Sequence, residues 1–208
     1  MCGVVACSTT KNNDCWHTFV RLCQQSLIRG VHAFGVSYLR DGRLQTVKSL
    51  DFGEVMKAIP NPLPESIIFH NRYATSGVAS DMANNQPLVR GRSAIAVNGV
   101  VDMGTKSEME TRWGVSLNSD NDAELVLIDA DCGDPFKKLG LPTTSLAGAF
   151  LSEDGRFFAF RNSRRPLWYI RADGARWAVS TIDIARRAGL KLQNAQLIEP
   201  FRVQNMRD

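Results

Sequence analysis

Residues 4–8 form a short continuous apolar stretch and read as a buried strand. The spacing then becomes helical. Phe19, Val20, Cys23 and Leu27 fall on one face of a helix that Asp14 would cap and that would run to about Ile28. Residues 66–70 and 94–97 read as further buried strands, and residues 122–129 and 182–188 as helices. Asp41-Gly42, Asp154-Gly155 and Asp173-Gly174 each stand between β-like runs, which is a strong short-range hairpin signal. Hairpins with helices before and between them predict an α+β layered fold and argue against alternating βα units. Repeats and low-complexity stretches are absent, and the loosest segment, residues 60–64, is too short to separate domains. A single domain over residues 1–208 is expected.

Composition narrows the class. With 44% hydrophobic and 22% charged residues, the chain can bury a sizeable core. The net charge of +4 is scattered, apart from the cluster at 161–165 and Arg186-Arg187, so nucleic acid is not an expected partner. The five cysteines, Cys2, Cys7, Cys15, Cys23 and Cys132, include no C-x-x-C pair. Neither a disulfide framework nor a zinc site is indicated, and reduced thiols in the cytoplasm are expected. The start lacks a basic segment followed by an apolar one, and no apolar run could span a bilayer, so no membrane partner is expected.

Candidate chemistry begins at Met1-Cys2-Gly3. A small second residue lets an aminopeptidase remove Met1. Cys2 would then carry both a thiol and a free α-amine, whose reference pKa of about 7.7–8.0 suits a general base. Nucleophile and base would sit on one residue. Taken alone, the cysteine reads as a small buried hydrophobe, and the rest of the chain reverses that. Arg72 leaves a buried strand into the loop Tyr73-Ala74-Thr75-Ser76-Gly77 and could clamp a carboxylate, or pair with a loop carbonyl or Asp81. Asn98-Gly99 ends a strand, as a turn or as two donors facing an oxyanion. Asp122 and Glu124 stand at a helix start, where acidic residues meet the positive end of the dipole, and a carboxylate there could also hold a substrate ammonium.

Taken in order, these motifs resemble one family. The chain has Met1-Cys2-Gly3, Arg29-Gly30 with Gly35, His70-x-Arg72-Tyr73-Ala74-Thr75-x-Gly77 and Asn84-x-Gln86-Pro87. It continues with Asn98-Gly99, Asp122-x-Glu124, Gly148-Ala149-Phe150, Arg161 with Arg165-Pro166-Leu167, and Ser180. The set resembles the class II glutamine amidotransferase domain of the N-terminal-nucleophile hydrolases, over roughly residues 2–203. The resemblance implies a four-layer αββα sandwich of two mainly antiparallel sheets. It also implies hydrolysis of the glutamine side-chain amide to glutamate and ammonia. Cys2 would be the nucleophile, Asn98 and Gly99 the oxyanion donors, and Arg72 and Asp122 the clamp on the two charges of the amino acid. Thr75 and Gly77 would shape the pocket wall. No metal or organic cofactor is required.

The chain departs from the family where Ser76 and Val97 stand in place of frequent histidines, at Val31-His32-Ala33-Phe34, and in the shortened segment 161–167. These departures leave two alternatives: a non-catalytic binding module of the same fold, or a hydrolase of another γ-glutamyl amide. His70 is expected to serve a structural hydrogen bond. Family synthases continue into a domain that consumes the ammonia, so a separate ammonia-accepting synthase subunit is the expected partner. Residues 78–83 and 162–165 are the expected docking loops.

Overall fold

Successive side chains of a strand point to opposite faces, and the first strand already separates two cores. In β1 (Gly3–Ser8), Val5 and Cys7 join a cluster that includes Phe19 and Leu22, while Val4 and Ala6 join a second cluster. The computed structural model describes residues 1–10, 14–137 and 144–207. The strands that follow are β2 (Ala33–Arg40), β3 (Arg43–Ser49), β4 (Ser66–Arg72), β5 (Leu88–Arg90), β6 (Ser93–Val100) and β7 (Ser145–Ser152). Then come β8 (Phe157–Arg161), β9 (Trp168–Ala172), β10 (Ala175–Val179), β11 (Ala195–Leu197) and β12 (Arg202–Asn205).

They form two sheets, in the orders β11-β9-β10-β1-β4-β2-β3 and β12-β8-β7-β6-β5. Every recorded strand pairing is antiparallel. The helices are α1 (Trp16–Ser26), α2 (Phe52–Lys57), α3 (Lys106–Trp113), α4 (Ala123–Asp131) and α5 (Ile182–Arg187). Phe19, Val55 and Ile184 bring α1, α2 and α5 onto the outer face of the first sheet. Met109 and Leu125 bring α3 and α4 onto the second. Between the sheets lie Val4, Ala6, Ile68, Ala94, Ala96, Ala147 and Ala149 with Leu151 and Phe157. The layers therefore run α-β-β-α, the sandwich that the resemblance implied. No helix among the described residues is long and apolar enough to cross a membrane.

All three Asp-Gly pairs lie in connections between paired strands. Asp41 and Gly42 have φ of 50° and 72°, and Asp173 and Gly174 have 53° and 72°, the left-handed pair that a tight twisted hairpin needs. The expected strands are longer than their apolar runs, because pairing continues into Asn71-Arg72 and Asn98-Gly99-Val100. The first helix differs from expectation. Cys15, not Asp14, occupies its cap position, and the Asp14 carboxylate instead accepts from Trp16 N at 3.4 Å. Its buried face is Phe19, Leu22, Cys23 and Ser26, so Leu22 takes the place expected for Val20. The α-helix stops at Ser26, and a tighter turn at Leu27–Arg29 follows. The helix after Asp122 runs on to Asp131.

Candidate active site

Cys2 stands immediately before β1, where the first sheet meets the second. Gly3 is paired with Asn71 on β4, and it must be glycine, since a Cβ there would lie 2.1 Å from Asn71 Oδ1. Asn71 is buried and fully engaged: its Nδ2 donates to Ser26 O and Gly30 O, and its Oδ1 accepts from Ser26 Oγ. That network ties the turn after α1 to the strand end beside Cys2. Arg29, carried on the turn, donates from Nε to Cys2 O at 2.6 Å. Ser180 Oγ accepts from Val4 N at 2.8 Å and steadies the strand from the other neighbour.

The thiol of Cys2 faces the Tyr73 peptide, with Sγ 3.4 Å from Tyr73 N and 3.6 Å from Tyr73 O. Burial pushes the thiol pKa up, opposed by the Tyr73 hydrogen bond and by the positive amino terminus, Arg72 and Arg29. The backbone N of Cys2 donates to Asn98 Oδ1 at 3.1 Å. Asn98 is 2% exposed, and its Nδ2 has no hydrogen-bond partner among the described residues. Gly99 follows on β6 opposite Leu146, and a Cβ there would lie 2.1 Å from Ser145 O. Close approach to β7 thus requires glycine at this position, independently of any turn.

Arg72 is buried, and loop and side-chain oxygens surround its guanidinium. NH1 donates to Asn85 Oδ1 at 2.7 Å, and NH2 donates to Gly77 O at 2.9 Å and to Ser76 O. Of the partners weighed from the sequence, the loop carbonyls are the ones in contact. Burial lowers the Arg72 pKa against the pull of Cys2, Asp122 and Asp81. Asp122 does not cap α4 with its side chain. Its carboxylate turns back to accept from Val101 N at 2.6 Å, Asp102 N at 3.1 Å and Ser76 Oγ at 3.4 Å. Burial raises its pKa despite these donors. Ser76 therefore touches both charged side chains, through its carbonyl and its hydroxyl. Thr75 and Gly77 line a cleft of about 560 Å³ with Ser76, Val78, Thr105, Lys106 and Asp120.

Several contacts at this site were not legible beforehand. Arg29 bonding to the Cys2 carbonyl is one. Arg165 is another, with NH1 2.9 Å from Met1 Sδ and Nε donating to Ser145 Oγ. Glu124 binds Asn118 N, Ser119 N and Arg90, and so organises the loop ahead of α4. A larger cavity of about 700 Å³ opens at the Ser8 end of β1, lined by Arg171, Arg176, Lys191 and Arg207. It lies about 20 Å along the strand from Cys2 at the usual rise per residue. The constellation around Cys2, not cavity size, marks the site.

No family model matches the chain, and no curated protein matches it. Solved structures do. The glutamine phosphoribosylpyrophosphate amidotransferase from B. subtilis superposes with a TM-score of 0.72 over 99% of this chain and 49% of its own, at 17% identity. A structure described as the allosteric regulatory enzyme of purine biosynthesis gives 0.70 over 95% and 45%, at 18% identity. A glutamine aminotransferase class-II domain protein from Silicibacter pomeroyi gives 0.57 over 99% and 100%, at 13% identity. The chain spans about half the length of the first two. The chain thus shares the fold of the B. subtilis amidotransferase and of the class-II domain protein.

Proposed function

We propose that the protein hydrolyses the side-chain amide of glutamine with the thiol of Cys2, after removal of Met1. The observation that carries this reading is the double use of Asn98. Its Oδ1 takes the N–H of Cys2, while its buried Nδ2 is left with a donor to offer. In the processed chain the neutral α-amine donates one N–H to Asn98 and keeps its lone pair for the thiol proton. The thiolate attacks the amide carbon, and the oxygen gathers negative charge beside Asn98 Nδ2 and Gly99. Ammonia leaves with the proton returned by the amine. Water then attacks the γ-glutamyl thioester, releasing glutamate and restoring the thiol.

Glutamine's carboxylate would replace the Ser76 and Gly77 carbonyls on Arg72, and its ammonium would approach Asp122, with Thr75 and Gly77 forming the wall. The departures from the family pattern are compatible with this. Ser76 donates to Asp122, and Val97 turns its side chain into the core beneath α4. Free ammonia protonates readily in water. We therefore place its acceptor in a separate synthase that docks over residues 78–83 and 163–164.

One observation favours a second reading, a binding module without catalysis: loop carbonyls already occupy Arg72. The test is direct. Purified protein is incubated with glutamine, and glutamate and ammonia are measured beside a panel of other γ-glutamyl amides. Turnover of glutamine that Cys2→Ala abolishes supports the enzyme. Retention of Met1 by intact mass, with no turnover of any panel member, supports the binding module.

A further inference from the structure

The peptide of Val97, directly before Asn98, is bonded in a way that its sheet does not provide. β5 pairs with β6 only at Ser93, Ala94 and Ile95. Extending that register places Gln86 opposite Val97, but Gln86 is outside the strand. Its side chain takes the role instead: Val97 N donates to Gln86 Oε1 at 2.6 Å. The carbonyl of the same residue is met by His70, which reaches across from β4 in the facing sheet, with its Nε2 3.1 Å from Val97 O. A carbonyl can only accept, so Nε2 carries the hydrogen. Nδ1 is buried without a partner among the described residues, and burial lowers the ring pKa to about 3, so the ring is neutral. Both side chains are buried, at 0% for His70 and 5% for Gln86. The Gln86 backbone packs directly on Gly35, where a Cβ would stand 2.3 Å from the Gln86 backbone carbonyl oxygen.

We propose that His70 and Gln86 are positioning residues that bracket the Val97 peptide in place of a strand and so aim Asn98 at Cys2. Neither touches the reacting atoms. The bracket fixes the N–H and C=O of the residue just before Asn98, and with them the direction in which β6 leaves toward the site. This gives a physical role to two motif residues, His70 and Gln86, that the Cys2 chemistry itself does not use. It rests on the reading of Asn98 as an oxyanion donor.

The test pairs removal with conservative rescue. His70→Leu and Gln86→Leu each delete one bond, whereas His70→Gln retains a donor and Gln86→Glu an acceptor. A misplacement of about 1 Å lowers rate about 100-fold. The Leu variants are expected to lose glutamine kcat on that scale with KM unchanged, and the conservative variants to recover most of it. Alkylation of Cys2 by iodoacetamide should not change, since that reaction forms no oxyanion. Amide exchange at Val97 and imidazole nitrogen shifts at His70 report the bracket without turnover. The proposal expects a protected Val97 amide that Gln86→Leu exposes, and a neutral ring protonated at Nε2. Unprotected Val97 in the parent chain, the opposite tautomer, or Leu variants with undiminished kcat would overturn it. If the parent chain turns over no glutamine, the functional reading fails, and the exchange and tautomer measurements still decide whether the bracket exists.

Discussion

Cys2 and Asn98 are joined by a single hydrogen bond, 3.1 Å from the Cys2 nitrogen to Asn98 Oδ1, which leaves Asn98 Nδ2 buried and unpartnered among the described residues. Ninety-six positions separate the two in sequence. A buried amide donor without a partner is costly unless something occupies it during function. Asn98→Asp keeps the oxygen facing Cys2 and removes the donor. It should lower glutamine kcat by about 100- to 1,000-fold while Cys2 remains open to alkylation. A loss in KM alone, with kcat intact, would assign Asn98 to ground-state binding.

Arg72 and Asp122 should act on binding. Arg72→Lys forfeits the forked geometry that a carboxylate needs, and it should raise KM for glutamine more than it lowers kcat. Asp122→Asn removes the charge but keeps one acceptor for the Val101 and Asp102 N–H groups. Asp122→Ala orphans both donors and should destabilise the fold by about 1–3 kcal/mol, measured as a shift in urea midpoint. An Asp122→Ala chain as stable as its parent would contradict that accounting.

The amino terminus supplies a pH prediction. In the unprocessed chain, burial lowers the pKa of the Met1 amine, opposed by Cys2 and helped by Arg29 and Arg165, and the Cys2 amine freed by processing would lie near the same two arginines. A lowered amine pKa leaves the neutral base present further into the acid range, so activity should be lost only below the ordinary α-amine range of about 7.7–8.0. Arg165→Gln removes one nearby positive charge and should move the acid limb of kcat/KM upward. An acid limb that does not move would remove Arg165 from the account.

Burial holds His70 at about 3, against an unfolded value of 6.5. Below about 6.5 the unfolded chain takes up a proton that the folded ring refuses, so this group makes stability fall with pH by about 1.4 kcal/mol per unit. The contribution is fully present above the unfolded value and is lost progressively on acidification toward 3. Urea midpoints compared between about pH 7 and pH 5 should fall further for the parent than for His70→Gln. Equal losses would show that another group governs the acid response.

Much of the architecture was legible because it depends on local pattern. The Asp-Gly hairpins fix antiparallel neighbours, and the apolar runs at 66–70 and 94–97 mark one interior strand of each sheet. Motif order pointed to Cys2, Arg72, Asn98 and Asp122, and hydrogen bonds link Cys2 to Asn98 and Arg72 through Ser76 to Asp122. Long-range contacts were not legible. Nothing near Arg29 announces that it will grip the carbonyl of Cys2, and nothing near Val97 announces that His70 and Gln86 will replace a strand. The end of α1 at Ser26 departs from the helical spacing for a related reason. Ser26 bonds to Asn71, and the chain must turn there to meet β4, whereas helical spacing alone continues to Ile28.

The expected docking loop at 162–165 divides in two. Asn162 is buried, with bonds to Thr144 and Leu146, and Arg165 serves Ser145 and Met1. Ser163 and Arg164 are exposed. Arg164→Glu should therefore weaken capture of an ammonia-accepting synthase and leave Cys2 labelling unchanged. Undiminished capture would leave residues 78–83 as the remaining docking candidate.

The central claim is that Cys2, with its α-amine freed, attacks the side-chain amide of glutamine. The most direct measurement is peptide-resolved mass spectrometry of the protein after exposure to a diazoketone analogue of glutamine, with and without glutamine present. The account predicts a chain lacking Met1 and a single adduct on Cys2 that glutamine suppresses, while Cys7, Cys15 and Cys23 stay unmodified in the core. An intact Met1, or a chain whose Cys2 takes no adduct, would contradict it.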